Sequence, residues 1–179
     1  MSKKLFLFSA LLFGMTIALV PACNGDKCPD TCGNGICLED GACDCDPGYE
    51  YDADGICNTE VRAKLIGTLT TSEQCSTDPN AFPYSITIAN NSSDVASFNI
   101  FNFYNSFTSA PVKATLTSAT EFTIALQTPV SGGDLEVSGS GSIGTASGGK
   151  AQVTITYTVH DKTGANPDAV CTGTVFVKN

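Results

Sequence analysis

Tryptophan is absent from the 179 residues, and histidine occurs once, at His160. One imidazole cannot build a His-rich metal site. It could serve a nucleophilic triad, but no serine occupies a Gly-x-Ser-x-Gly elbow. Ser138 to Gly144 does interleave serine with glycine, yet it reads as a low-complexity β segment. We therefore read His160 as a strand-end residue beside an Asp161–Gly164 turn. There is no P-loop and no dinucleotide fingerprint. Bases are scarce: nine Lys and Arg face eighteen Asp and Glu, a net charge of −9. A chain without a basic patch is no candidate for nucleic-acid binding. After Val20 no apolar run is long enough to cross a bilayer as a helix. Helical stretches that could make βαβ crossovers are missing too, which excludes a parallel sheet. These absences point to a protein that is not an enzyme and needs no cofactor.

What is present begins with an export signal. Met1 to Lys4 is basic, and Leu5 to Val20 is an apolar run of sixteen residues, short for a span and suited to a signal peptide. It ends in Leu19-Val20-Pro21-Ala22-Cys23, which resembles a bacterial lipobox, with Pro21 its unusual member. The resemblance implies cleavage after Ala22, lipidation of Cys23 and a membrane partner reached through that anchor. The chain holds nine cysteines, and an odd number in an exported protein needs explaining. Lipid on Cys23 leaves eight, enough for four bridges. Each methylene buried in a bilayer adds about 0.8 kcal/mol, so several acyl chains anchor firmly. Residues 23–27 form a polar tether, and Asn24 stands where Asp would favour inner-membrane retention, so the outer membrane or cell surface is expected.

Six cysteines fall between Cys28 and Cys57, a density that fits a disulfide framework in an oxidising compartment. About thirty residues bury too little apolar surface to fold unaided. Each bridge contributes roughly 2–4 kcal/mol. Ten acids and one base lie within residues 23–60, and no zinc-ligand spacing is present. Sequence alone leaves fifteen pairings for six cysteines. Cys43-Asp44-Cys45-Asp46-Pro47-Gly48-Tyr49 resembles the Cys-x-Cys-x-x-Gly-Tyr signature of EGF-like domains, and Gly33-Asn34-Gly35-Ile36-Cys37 resembles their Asn-Gly turn. The resemblance covers residues 28–57 and implies the pairs Cys28–Cys37, Cys32–Cys43 and Cys45–Cys57.

From Ala63 onward apolar residues alternate with Thr and Ser, and Gly, Asn, Asp, Ser and Pro punctuate the runs. We place residues 61–179 in one mainly β domain of eight strands: 63–71, 84–89, 95–101, 112–117, 121–127, 135–143, 151–160 and 170–177. Leu65 and Leu69 would share a face in the first strand, and Phe122, Ile124 and Leu126 in the fifth. Gly139 and Gly141 in the sixth suit a bulge or bend. Short loops make the strands an antiparallel meander. Cys75 lies just past the first strand and Cys171 begins the last. If the meander closes, these two fall at the same end, and a Cys75–Cys171 bridge would pin the closure. That argument favours a lipocalin-like barrel over a sandwich.

The mature chain also resembles small lipoproteins of the Bacteroidetes that join an EGF-like module to a compact β domain. The matching residues are Glu60 to Leu69, Ser72 to Cys75, Val137 to Ile143, Ile155 to Val159, and Val170 to Thr172. The resemblance implies an outer-membrane or surface location and no activity.

Two clusters could meet a ligand. Glu50, Asp52 and Asp54 precede Gly55 with the alternation that opens a calcium loop. The closing acid should stand where Val61 is, so no metal is assigned and calcium stays a weak candidate. Phe101, Phe103 and Tyr104 follow a strand with Phe98 and Ile100 on its other face, which leaves an aromatic patch to stack on a glycan or meet a protein. The lack of tryptophan weighs against sugar. The leading expectation is a non-catalytic, lipid-anchored adhesion or binding module. The alternative is a carrier of a small apolar ligand inside the barrel, with Leu69, Ile88, Phe122, Ile155 and Val175 as the residues whose packing decides it. A hydrolase comes third, because acids and bases do not converge in sequence.

Overall fold

The computed structural model describes residues 31–78, 80–91 and 94–179. The signal peptide, Cys23, the tether and Cys28 lie outside the described residues.

The N-terminal module is two small hairpins. β1 (Gly35–Cys37) pairs antiparallel with β2 (Cys43–Cys45), and β3 (Tyr49–Tyr51) with β4 (Cys57–Glu60). Its core is mostly sulfur: Cys32, Cys43 and Cys57 are buried, with Cys45 and Tyr49 against them. Disulfides join Cys32 to Cys43 and Cys45 to Cys57. Cys37 is also disulfide-bonded. Gly35 is required here, since a Cβ would stand 2.5 Å from the Asp44 carbonyl oxygen and 2.9 Å from the Cys57 sulfur.

β4 runs straight into a short helix, α1 (Val61–Leu65). The sequence pattern had placed the first strand across this stretch. Val61, Arg62 and Leu65 are all buried by the helical turn, a spacing of one and four that alternation does not produce. The strands that follow are β5 (Gly67–Glu73), β6 (Phe82–Asn90), β7 (Ser97–Phe101), β8 (Val112–Leu116), β9 (Glu121–Gln127), β10 (Leu135–Thr145), β11 (Ala151–Asp161) and β12 (Ala169–Lys178). Each pairs antiparallel with the next, and β12 pairs with β5, closing an eight-stranded barrel. All eight expected strands are present.

Closure has two parts. At one end Val177 faces Thr70 and Lys178 faces Leu69 in the ladder. At the other, the Cys75–Cys171 disulfide joins the strands, and Ser76 and Val170 exchange hydrogen bonds through the Ser76 N–H and hydroxyl.

Side chains fill the interior. Leu69, Ile86, Ile88, Phe98, Ile100, Phe122, Ile155, Tyr157 and Phe176 are each at most 1% exposed. Gly139 and Gly141 make room for two of them. A Cβ on Gly141 would stand 2.3 Å from the Phe122 ring, and one on Gly139 would stand 2.7 Å from the Tyr157 Cβ. These glycines face inward beneath aromatic side chains, and the bulge lies elsewhere. Between Val137 and Gly139 the ladder skips a residue on β9, so Leu126 turns outward and is 67% exposed. A second shift near Gly173, whose φ is +64°, puts Thr174 and Phe176 inside and Val175 out. The expectation that Leu126 and Val175 face the core is thereby corrected.

Chain direction sorts the connections into two ends. The module, α1 and the turns after β6, β8 and β10 share one end. The turns after β5, β7, β9 and β11 share the other, called here the loop end. At the module end, Arg62 is 8% exposed and its guanidinium donates to the carbonyls of Asn91 at 2.9 Å and Asp94 at 2.8 Å. Its Nε donates to Glu60 at 3.0 Å. The Val61 N–H donates to the Gly48 carbonyl at 2.9 Å, and a Cβ on Gly48 would lie 2.9 Å from backbone atoms of Val95 and Ala96. Among the described residues, then, the module sits directly on the barrel.

Candidate functional site

The loop end carries two clefts on either side of Tyr104. The loop after β7 is held down by its phenylalanines: Phe103 is fully buried and Phe107 nearly so, and they form an isolated bridge. Phe103 packs on Tyr157 with ring centroids 4.4 Å apart. This corrects the expectation of a surface contact at Phe103; an inward turn after the strand recruits it to the core. Phe101 is half-buried at the end of β7. Tyr104 remains at the surface, half-buried, edge-on to Tyr157. Asn102, Tyr104 and Asn105 all have positive φ, at 57°, 54° and 48°. For a bulky residue such a conformation is an outlier that costs roughly 1–3 kcal/mol, and strain of this kind concentrates at binding sites. The Asn102 side-chain amide steadies the loop by donating to the Ser85 carbonyl at 2.8 Å.

The larger cleft, about 500 Å³, lies between Tyr104 and the loop after β11, with Asp161, Asn166 and Asp168 on its far side. Asp161 builds that loop. Its carboxylate accepts from the Thr163 hydroxyl and N–H and from the Asn166 amide and N–H. The Thr163 hydroxyl, then the Asn166 amide, hold its pKa down at about 2. His160 and Asp168 pair at 2.6 Å, both half exposed, and the aspartate raises the histidine pKa. No serine or cysteine is hydrogen-bonded to this imidazole among the described residues.

The smaller cleft, about 230 Å³, lies between Tyr104 and β5–β6. Its floor is the top layer of the barrel interior. Glu73, 7% exposed, accepts a hydrogen bond from the Tyr157 hydroxyl. The Tyr84 hydroxyl is buried beside Tyr157, Glu73 and the Tyr104 backbone, and makes no well-formed hydrogen bond among the described residues. Burial, and then the Glu73 charge, push the Tyr84 phenol far above the ordinary tyrosine value; burial, then Tyr84 and Glu73, do the same to Tyr157.

The calcium candidates do not converge. Glu50 pairs with Lys64 at 2.6 Å. Asp52 accepts from the N–H groups of Asp54 and Ile56, and the Ile56 bond leads in lowering its pKa. Asp54 contributes a backbone N–H to that turn. The acidic alternation therefore serves a turn within the module. Among the described residues, one group of three ligand-type side chains lies close together: Glu73, Cys75 and Cys171, within 4.8 Å, and its two sulfurs form the disulfide.

Of the five residues named for a carrier's wall, Leu69, Ile88, Phe122 and Ile155 are each at most 1% exposed inside the barrel, and Val175 faces outward at 40% exposure. Sequence reasoning missed Glu73, Tyr84 and Tyr157 as a group. One signal was available: Leu69, Thr71 and Glu73 continue a single alternation, so a carboxylate occupies an inward position. No family model, curated protein or solved structure matches this chain.

Proposed function

We propose that the protein is a non-catalytic binding module, lipid-anchored through Cys23 at the outer membrane, that meets an extracellular partner with its loop end. The EGF-like module serves as a stiff spacer and the barrel as a head. One observation carries this reading. The loop end lies opposite the module and α1 and opens into clefts around a conformationally strained Tyr104, whereas the cleft at the module end, about 480 Å³ beside Lys64 and Lys178, lies next to α1. Because the chain enters the barrel through the module, an anchor upstream of the module leaves the loop end facing away from the membrane. Ten acids against one base in residues 23–60 suit a spacer bathed in water.

The test uses intact cells. Palmitate labels the wild type and not Cys23→Ser, which leaves the envelope for the medium. Ala165→Cys, at an exposed position of the loop after β11, is labelled by a membrane-impermeant maleimide before lysis. Labelling only after lysis would overturn the outward orientation. Retention of Cys23→Ser in the membrane would overturn the anchor.

A further inference from the structure

We propose that the smaller cleft, bounded by Glu73, Asp78, Phe82, Tyr84 and Tyr104, is a binding site for a small organic ammonium ion. It stands on the opposite side of Tyr104 from the larger cleft and needs neither the anchor nor the orientation proposed above.

Three features converge there. The first is an uncompensated carboxylate. Glu73 is almost fully buried, yet among the described residues no Lys, Arg or His nitrogen lies within 4.0 Å of it. Among the described residues its carboxylate accepts from the Tyr157 hydroxyl, with the Tyr84 hydroxyl beside it. A buried carboxylate without a cation is costly, and a bound cation relieves that cost. Asp78, across the cleft, adds a second negative charge, and its own hydrogen bond is to the Asn80 N–H at 2.9 Å. The second feature is aromatic. Phe82, Tyr84 and Tyr104 are three rings on one small cleft, and Phe82 is 52% exposed on the strand position opposite Glu73. Aromatic faces attract cations, quaternary ammonium above all. The third is the Tyr84 hydroxyl, buried on the same cleft beside Glu73 and Tyr157 without a well-formed hydrogen bond among the described residues, to which an N–H or O–H on the ligand would add a partner.

The same features argue against a bare metal ion. Hard cations take six to eight oxygens, and no second carboxylate stands with the Glu73 oxygen in the close group it forms with the two sulfurs. Three rings share the remaining walls with Asn105 and Ser106, too few charged oxygens for such a shell. A volume of about 230 Å³ suits a head group of choline size.

The experiment is calorimetric titration of the mature soluble chain, Cys23→Ser, with three probes. Choline chloride carries the charge; 3,3-dimethylbutan-1-ol has the same shape without it; calcium chloride is the metal control. Choline binds, the neutral isostere binds at least about tenfold more weakly, and calcium does not compete. Glu73→Gln weakens choline by roughly tenfold or more, and Tyr104→Ala weakens it with the barrel intact by near-UV circular dichroism. Should Glu73→Gln fail to fold, Tyr104→Ala still decides the matter. Equal affinity for choline and its isostere, displacement by calcium, or no choline binding at tens of millimolar would each overturn the proposal. Asn166→Ala, which alters only the larger cleft, leaves choline binding unchanged.

Discussion

Because His160 is the only histidine, its imidazole resonances report one site without ambiguity. The Asp168 hydrogen bond, and then that carboxylate's charge, raise its pKa above the ordinary 6.5. A raised value in the folded state means that the pair stabilises the fold fully below about pH 6.5 and stops doing so as pH rises through the folded value. Both partners are half exposed, so the contribution is small and screened by salt. We expect the NMR titration midpoint of His160 to lie above 6.5 in the wild type and to fall in Asp168→Asn. An unchanged midpoint would show that the contact does not persist in solution. Other residues were harder to place from sequence. Alternation carries Leu126 and Val175 inward, but one extra residue in β9 and a left-handed Gly173 in β12 reverse the parity. In β9 the extra residue falls at Ala125 and Leu126, whose types announce no reversal, whereas Gly173 inside a strand is the kind of residue that marks a bulge.

Among the elements, the closure seam was legible because cysteine arithmetic and chain topology gave the same answer. An antiparallel meander of eight strands that closes returns its last strand to its first, and the two leftover cysteines fall at that seam. The ladder between β12 and β5 covers only two residue pairs, so the bridge and Ser76 close the rest. Replacing Cys75 and Cys171 together with serine removes a cross-link spanning 96 residues. The chain-entropy model assigns such a link about 4–5 kcal/mol. Denaturant unfolding of the double variant should show a loss near that size, with the loop-end amides exchanging faster than those of β10 and β11. A loss below about 1 kcal/mol would place the work of closure in the ladder instead. The helix α1 was not legible. Five residues are too few for periodicity to show, and Ala63, Leu65, Gly67 and Leu69 continue a strand pattern without a break. Tertiary burial of Val61, Arg62 and Leu65 decides it.

At the scale of the whole molecule, the junction between module and barrel decides whether the spacer is stiff. Five residues of sequence suggest only limited freedom, and the structure adds the reason. The Arg62 guanidinium binds two backbone carbonyls of the turn after β6 and reaches back to Glu60, the last residue of β4. The neighbouring Glu50–Lys64 pair is more than a quarter exposed on both sides and adds little by itself. Arg62→Ala would strip charged donors from buried carbonyls, at a cost of about 2–3 kcal/mol. Because these bonds cross from the element entering the barrel to the turn beneath the module, the loss should be uneven. Hydrogen exchange should quicken over residues 48–66 and 94–97, while β10 and β11 stay protected. Spin labels on the module and on the loop end should then report a broader distance distribution than in the wild type. If exchange and distances are both unchanged, Arg62 is not the clamp, and the covalent run from β4 into α1 alone sets how the module sits on the barrel.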